Sequence, residues 1–225
     1  MLTENYKRVL ETINEACRRC GRSPEEVTLI AVTKMADLED LKQAAALGIN
    51  DFGANRVQDA ASQIAVLPRT RWHFIGHLQT NKVKDVLPIY RSIQTLDRHS
   101  LAKMLQRCAE RFERAAEVLI QVNISGEKSK YGLAPEDLPG FLKEISCFDR
   151  IKVRGLMTIA PFFDDAEAVR PYFKKLRQLR DRNAKPGVEL PELSMGMTND
   201  YGVAIEEGAT IVRIGSALFD RAADS

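Results

Sequence analysis

The sequence predicts an α/β fold, a single (β/α)8 TIM barrel with an extra helix at its N-terminus. Two observations carry this. Eight short β-branched or aromatic runs alternate with longer amphipathic segments along the 225 residues, the signature of repeated βα units. Several runs, LIAVT at 29–33 and EVLIQVNI at 117–124 among them, are nearly continuous in apolar residues. Parallel strands covered on both faces look like this. A doubly wound open sheet is the alternative, because one weak strand fewer changes the count. The length suits one domain over residues 1–225, and no low-complexity linker interrupts it.

The strands are expected at Val27–Lys34, Asp51–Asn55, Arg71–Gly76, Ser92–Asp97, Glu117–Ile124, Lys152–Ala160, Leu193–Met197 and Ile211–Phe219. A helix over about residues 3–20 precedes them. Its stripe of Tyr6, Val9, Leu10, Ile13, Cys17 and Cys20 falls on one face. Leu101, Met104, Leu105, Cys108 and Phe112 keep helical spacing in the middle of the chain. Asp164-Asp165 is placed to cap a helix running to about Arg182, and Asn199-Asp200 a short one ending before Gly208. Lys185-Pro186-Gly187 reads as a loop.

Composition excludes several classes. Net charge is +2, with 28% charged and 44% apolar residues, which is ordinary for a soluble globular chain and gives no case for polyanion binding. The basic stretch KKLRQLRDR at 174–182 reads as a solvated helix face, not a nucleic-acid patch. No apolar run approaches the ~20 residues that span a bilayer. The opening MLTENYKRVLET is too polar for a secretory signal, so the expectation is a cytoplasmic protein with reduced thiols. Cys17 and Cys20 form a CxxC, but helical spacing makes them packing residues, and no second pair completes a zinc site.

A barrel carries its site at the C-terminal strand ends. Those ends supply Lys34, Asn55, His77, Thr158, Thr198 and the run Arg213-Ile214-Gly215-Ser216. Barrels of this kind often bind phosphate at the loops after the seventh and eighth strands. Thr198-Asn199-Asp200 leads into a helix start, which favours an anion, while Gly215 lets a phosphate reach the backbone and Ser216 adds a hydroxyl. Capping and a tight turn explain the same residues without a ligand. Lys34 at a strand end is either a snorkelling lysine or an amine set up for a Schiff base. Arg213 sits inside the apolar run IVRIG, where a guanidinium requires a carboxylate or ligand partner. His73 in WHF reads as a core-edge residue, and His77 as a loop residue placed to act as a general base. HExxH, GxGxxG and P-loop patterns are missing, and so is any Ser/His/Asp order, which removes support for hydrolase, dinucleotide and NTP readings.

These residues together resemble the YggS/PROSC family of pyridoxal phosphate homeostasis proteins. The resemblance covers about residues 5–220. It rests on AVTK at 31–34, FGANRVQD at 52–59, WHFIGHLQTNK at 72–82, SKYG at 129–132, RGLMTI at 154–159, SMGMTNDY at 194–201 and VRIGSALF at 212–219. It implies a barrel of the alanine racemase N-terminal domain type, fold-type III, with pyridoxal 5'-phosphate (PLP) on Lys34. It further implies phosphate contacts from Met197, Thr198, Gly215 and Ser216, Arg213 facing the pyridine nitrogen, and Asn55 near the ring. The implied role is binding and buffering PLP, with delivery to apo PLP enzymes, and no catalysis by the chain itself. The alternative is an amino-acid racemase. The chain ends soon after the eighth strand, so the expectation is an open barrel mouth. A monomer is also expected. Departures from the family pattern are Ala54 for glutamate, Arg56 for tyrosine, Met35-Ala36-Asp37 where a lysine-proline pair is common, and Thr198-Asn199 for Ser-Asp.

Overall fold

The computed structural model describes residues 1–127 and 129–220, with side chains for all of these except 58–61. Gln58 and Asp59 of the FGANRVQD motif, as side chains, and the last five residues of the expected domain lie outside the described residues. Eight parallel strands form a closed barrel in sequence order. They are β1 (Thr28–Val32), β2 (Asp51–Ala54), β3 (Arg71–Phe74), β4 (Ser92–Leu96), β5 (Ala116–Gln121), β6 (Ile151–Met157), β7 (Glu192–Ser194) and β8 (Ile211–Ile214). The barrel closes where β1 meets β8, with Thr28 opposite Ile211 and Ala31 opposite Ile214. The helices are α1 (Leu2–Cys20), α2 (Leu38–Ala46), α3 (Val57–Val66), α4 (Val83–Val86), α5 (His99–Arg111), α6 (Leu138–Ile145), α7 (Arg170–Asn183), α8 (Tyr201–Glu206) and α9 (Ser216–Phe219). The extra N-terminal helix is α1, and it packs against α8 and α9.

All eight expected strands are present, and each stops short of its expected C-terminal residue. The apolar character runs on because the residues beyond the ladder turn back onto the barrel. Thr33–Met35 is a 3-10 turn, so Lys34 stands one turn past β1 and not at its last rung. Leu218 and Phe219, expected in the eighth strand, are buried in α9. The α1 stripe holds at Val9, Ile13 and Cys17, but Leu10 is 37% exposed because it lies at the stripe's edge. In α7, Phe173 and Leu176 are buried and Lys174, Lys175 and Arg182 are exposed as a solvated face, while Arg177 is half-buried and pairs with Glu207 at 3.1 Å.

Side chains alternate across each strand. The outward set, with Ala31, Phe52, Trp72, Phe74, Ile93, Val118, Ile120, Leu156, Val212 and Ile214, packs under the helices in one large apolar cluster. Among the described residues, only Ile30, Leu119, Met157 and Ile211 form a separate apolar cluster. Polar inward positions include Asp51, His73, Ser92, Gln94, Ser194 and Arg213, all buried. The near-continuous apolar reading of the strands therefore holds for the helix-facing side and fails for the lumen. Burial of that polar lumen requires hydrogen-bond partners, and it divides into two networks, one at each end.

At the N-terminal end, Arg71 makes two hydrogen bonds to the Asp51 carboxylate, at 2.7 and 2.5 Å. His73 bridges Asp51 and the Ser92 hydroxyl through its two ring nitrogens, at 2.9 and 2.8 Å. Burial raises the Asp51 pKa, but the bonds from Arg71 and His73 more than offset this and hold it at about 2. His73 is thus a network residue rather than a core-edge packer. Ser92, His73 and Asp51 come together spatially without any signal in chain order, each buried at the end opposite the barrel mouth.

Candidate functional site

The second network lies at the C-terminal end, where β7 and β8 deliver their last residues. Arg213 is 3% exposed. Its Nη1 donates to the Ser194 hydroxyl at 2.7 Å and its Nη2 to the Thr158 carbonyl at 2.9 Å. Ser194 in turn donates to Gln94 Oε1 at 2.6 Å, across the barrel from β4. The partner that a buried guanidinium requires is therefore a hydroxyl and a carbonyl, with the Asp200 carboxylate acting at longer range. Burial pushes the Arg213 pKa down to about 10, against the opposing pull of Asp200, so the cation persists at neutral pH.

A cavity of about 320 Å³ opens over this arginine, lined by Lys34, Met197, Thr198, Arg213, Gly215 and Ser216, with Val32, Met35, Ala160, Pro161, Phe162, Asn199 and Asp200 completing the wall. Six of the seven residues expected from the sequence share it. The seventh, Asn55, does not. It borders an adjacent cavity of about 580 Å³ with Thr33, Ala36, Ala54, Arg56 and Gln63. Lys34 lines both cavities, so Asn55 reaches the site from the far side of the lysine. Asn55 and Lys34 are both exposed.

The two loops expected to hold a phosphate are tied together. Ser216 Oγ donates to Thr198 Oγ1 at 3.0 Å, and the Ala217 N–H donates to the same oxygen at 3.2 Å. The β7 loop keeps its shape through Gly196, whose φ is +92° and where an added Cβ lies 2.5 Å from the Ala204 methyl. Only glycine lets α8 close down on this loop. Gly215 differs. A Cβ there meets Val32 at an ordinary 3.5 Å, so the protein itself does not demand glycine, and the missing side chain leaves room at the cavity wall.

Asp200 departs from its expected role. It is the residue before α8, but its carboxylate makes no capping bond. It turns back to accept the Met197 N–H at 2.6 Å. Burial pushes its pKa up, while that N–H and Arg213 pull it down. A carboxylate in an anion site is explained by these two commitments: it braces the loop and faces the buried cation. His77 lies elsewhere, in the loop after β3. Its ring stacks on Tyr131 at 3.8 Å and 18°, and Nδ1 is 3.9 Å from Asp97.

The cavity fits PLP in four respects. Its volume lies in the range of small-molecule sites, roughly 300–1,000 Å³. It has an amine at one wall, a buried cation at its floor, and paired hydroxyls beside a glycine where a phosphate needs donors. Sequence reasoning missed Ser194, which holds the cation, Gln94, which holds Ser194, and Phe162, which is 73% exposed on the rim. Phe162 gave no signal because an aromatic residue in a loop is usually core. Ser194 was visible only as the first letter of SMGMTNDY.

Residues 5–221 match the family model described as alanine racemase, N-terminal domain. The pyridoxal phosphate homeostasis protein of Aquifex aeolicus is 44% identical over 219 residues, 96% of each chain. PipY of Synechococcus elongatus PCC7942, solved with PLP bound, superposes with a TM-score of 0.81 at 34% identity, covering 92% of this chain and 99% of that one. An alanine racemase of Clostridium difficile shares the fold alone, with a TM-score of 0.73 at 15% identity over 96% of this chain and 55% of its own. The barrel, its added helix and these identities agree, and the chain belongs to the pyridoxal phosphate homeostasis protein family, built on the alanine racemase N-terminal domain.

Proposed function

We propose that this chain binds PLP between Lys34 and Arg213 and serves PLP homeostasis in the cytoplasm, holding and releasing the cofactor without turning over a substrate. One observation carries the reading: Lys34, Met197, Thr198, Arg213, Gly215 and Ser216 line a single cavity at the mouth of the barrel. When bound, the cofactor supplies an aldehyde that condenses with an amine and a ring that withdraws electrons. Lys34 would provide the amine for that condensation. The hydroxyls of Thr198 and Ser216, with backbone at Met197 and Gly215, take the phosphate. Asn55 would approach the ring from the adjacent cavity that it shares with Lys34.

Arg213 argues for holding over catalysis. A guanidinium facing the ring nitrogen has no acidic proton to give, so it leaves the ring a weak electron sink. Lys34 is exposed, so water and outside amines reach the point of attachment. An open site lacks the water exclusion that supports amino-acid chemistry and permits release to an acceptor, such as an apo PLP enzyme. The Aquifex aeolicus relative, named a homeostasis protein, fits the same reading.

The test is a spectrum of the purified protein before and after borohydride, followed by peptide mapping. The expected result is a yellow protein whose reduced adduct maps to Lys34, and a Lys34→Ala variant without a reducible band. A band that persists in that variant overturns the assignment. Turnover of D- or L-amino acids at enzymatic rates, above about 1 s⁻¹, overturns the carrier role in favour of a racemase.

A further inference from the structure

The lumen holds a polar chain whose far end serves no structural bond. Gln94, on β4, is fully buried, and its Nε2 has no hydrogen-bond partner among the described residues. Its Oε1 is nevertheless engaged, accepting from Ser194 Oγ at 2.6 Å. A buried amide with one half unpaired costs free energy, so the half that is paired must return something. Ser194 Oγ, having donated its only proton to Gln94, presents lone pairs alone to Arg213 and accepts from Nη1 at 2.7 Å. The direction of every bond in this chain is therefore set from Gln94 outward.

We propose that Gln94 and Ser194 are positioning residues that fix the plane of the Arg213 guanidinium beneath the cofactor ring. The proposal rests on the reading of Arg213 as the ring contact. Two bonds at different nitrogens, to Ser194 and to the Thr158 carbonyl, define the plane of a rigid fork. Removing the first leaves the guanidinium hinged on Thr158 alone. A donor that swings loses the alignment on which a charge-assisted contact to a ring nitrogen depends. Gln94 acts one step further back: without its acceptor, the Ser194 hydroxyl is free to rotate its proton toward Arg213, where it repels the cation.

The experiment is a double-mutant cycle on PLP binding, with full-length Ser194→Ala, Arg213→Met and the double variant, read by affinity and by the absorption maximum of bound PLP. Ser194→Ala is expected to weaken PLP about tenfold and to shift the absorption maximum. The double variant is expected to bind no more weakly than Arg213→Met alone, because Ser194 acts through the arginine. Additive losses in the double variant overturn the proposal, as does an unchanged spectrum and affinity in Ser194→Ala. Should Arg213→Met itself change neither, the ring-contact reading fails and takes the proposal with it. Should Arg213→Met weaken PLP and Ser194→Ala not, only the proposal fails. Ser194→Thr keeps the hydroxyl and is expected to retain both the wild-type affinity and the wild-type spectrum. Gln94→Leu, which fills the lumen without an orphan amide, is expected to shift the spectrum in the same sense as Ser194→Ala. A wild-type spectrum in Gln94→Leu removes Gln94 from the chain.

Discussion

Arg213 announced itself in the sequence because a cation inside IVRIG breaks the apolar rule of a buried strand. Substitution by methionine keeps the volume and removes the charge. Arg213→Met is expected to weaken PLP by about tenfold or more, measured by absorbance titration, and an unchanged Kd would remove the ring contact. What the sequence left hidden is the company this residue keeps. Ser194 and Gln94 are small or neutral polar residues in strands, and 100 positions separate them. Their meeting depends on barrel closure and on which face each presents, neither of which a local pattern encodes. Asn55 is the opposite case. Its position at a strand end was legible, but the 3-10 turn of Thr33–Met35 places Lys34 between it and the main cavity.

The loop from β7 into α8 is an element whose shape depends on one backbone position. Gly196→Ala puts a methyl group against Ala204 at a positive φ, so a destabilisation of about 1–3 kcal/mol is expected, read by denaturant midpoints, together with weaker PLP binding as Thr198 moves. Loss of stability with full affinity would separate the loop from the site. The opposite end of the barrel responds to acid. Asp51 has a folded pKa of about 2, below its ordinary 3.8. A depressed carboxylate stabilises the fold fully above the unfolded value, and that contribution fades as pH falls through the folded one. About 2 kcal/mol is therefore expected to disappear between roughly pH 4 and pH 2. Melting curves of wild type and Asp51→Asn across that window check this, because the variant lacks that slope. Strands and their order were legible from alternating runs, while their ends were not. Apolar residues past the ladder pack as well from a turn or from α9 as from a strand, so hydrophobicity alone marks no boundary.

At the scale of the molecule, light scattering on a sizing column is expected to return the mass of one chain, with or without PLP; a dimer mass would overturn that expectation. The overall architecture was legible because repetition makes each βα unit support the next, so a misplaced boundary leaves the count intact. The lumen was not, since its polar residues appear in sequence only as interruptions. One seam remains to be followed into time. β1 pairs with β8, and the proposed cofactor site straddles that pairing, with Lys34 just past one strand and Arg213 within the other. A chain emerging from the ribosome makes the first half of its site long before the second. PLP thus finds no complete floor until the last strand has been made and docked, whatever has already folded. Cofactor capture becomes a clock for the final long-range step of folding. In refolding from denaturant, the spectroscopic change of bound PLP should track the slowest phase and no earlier one.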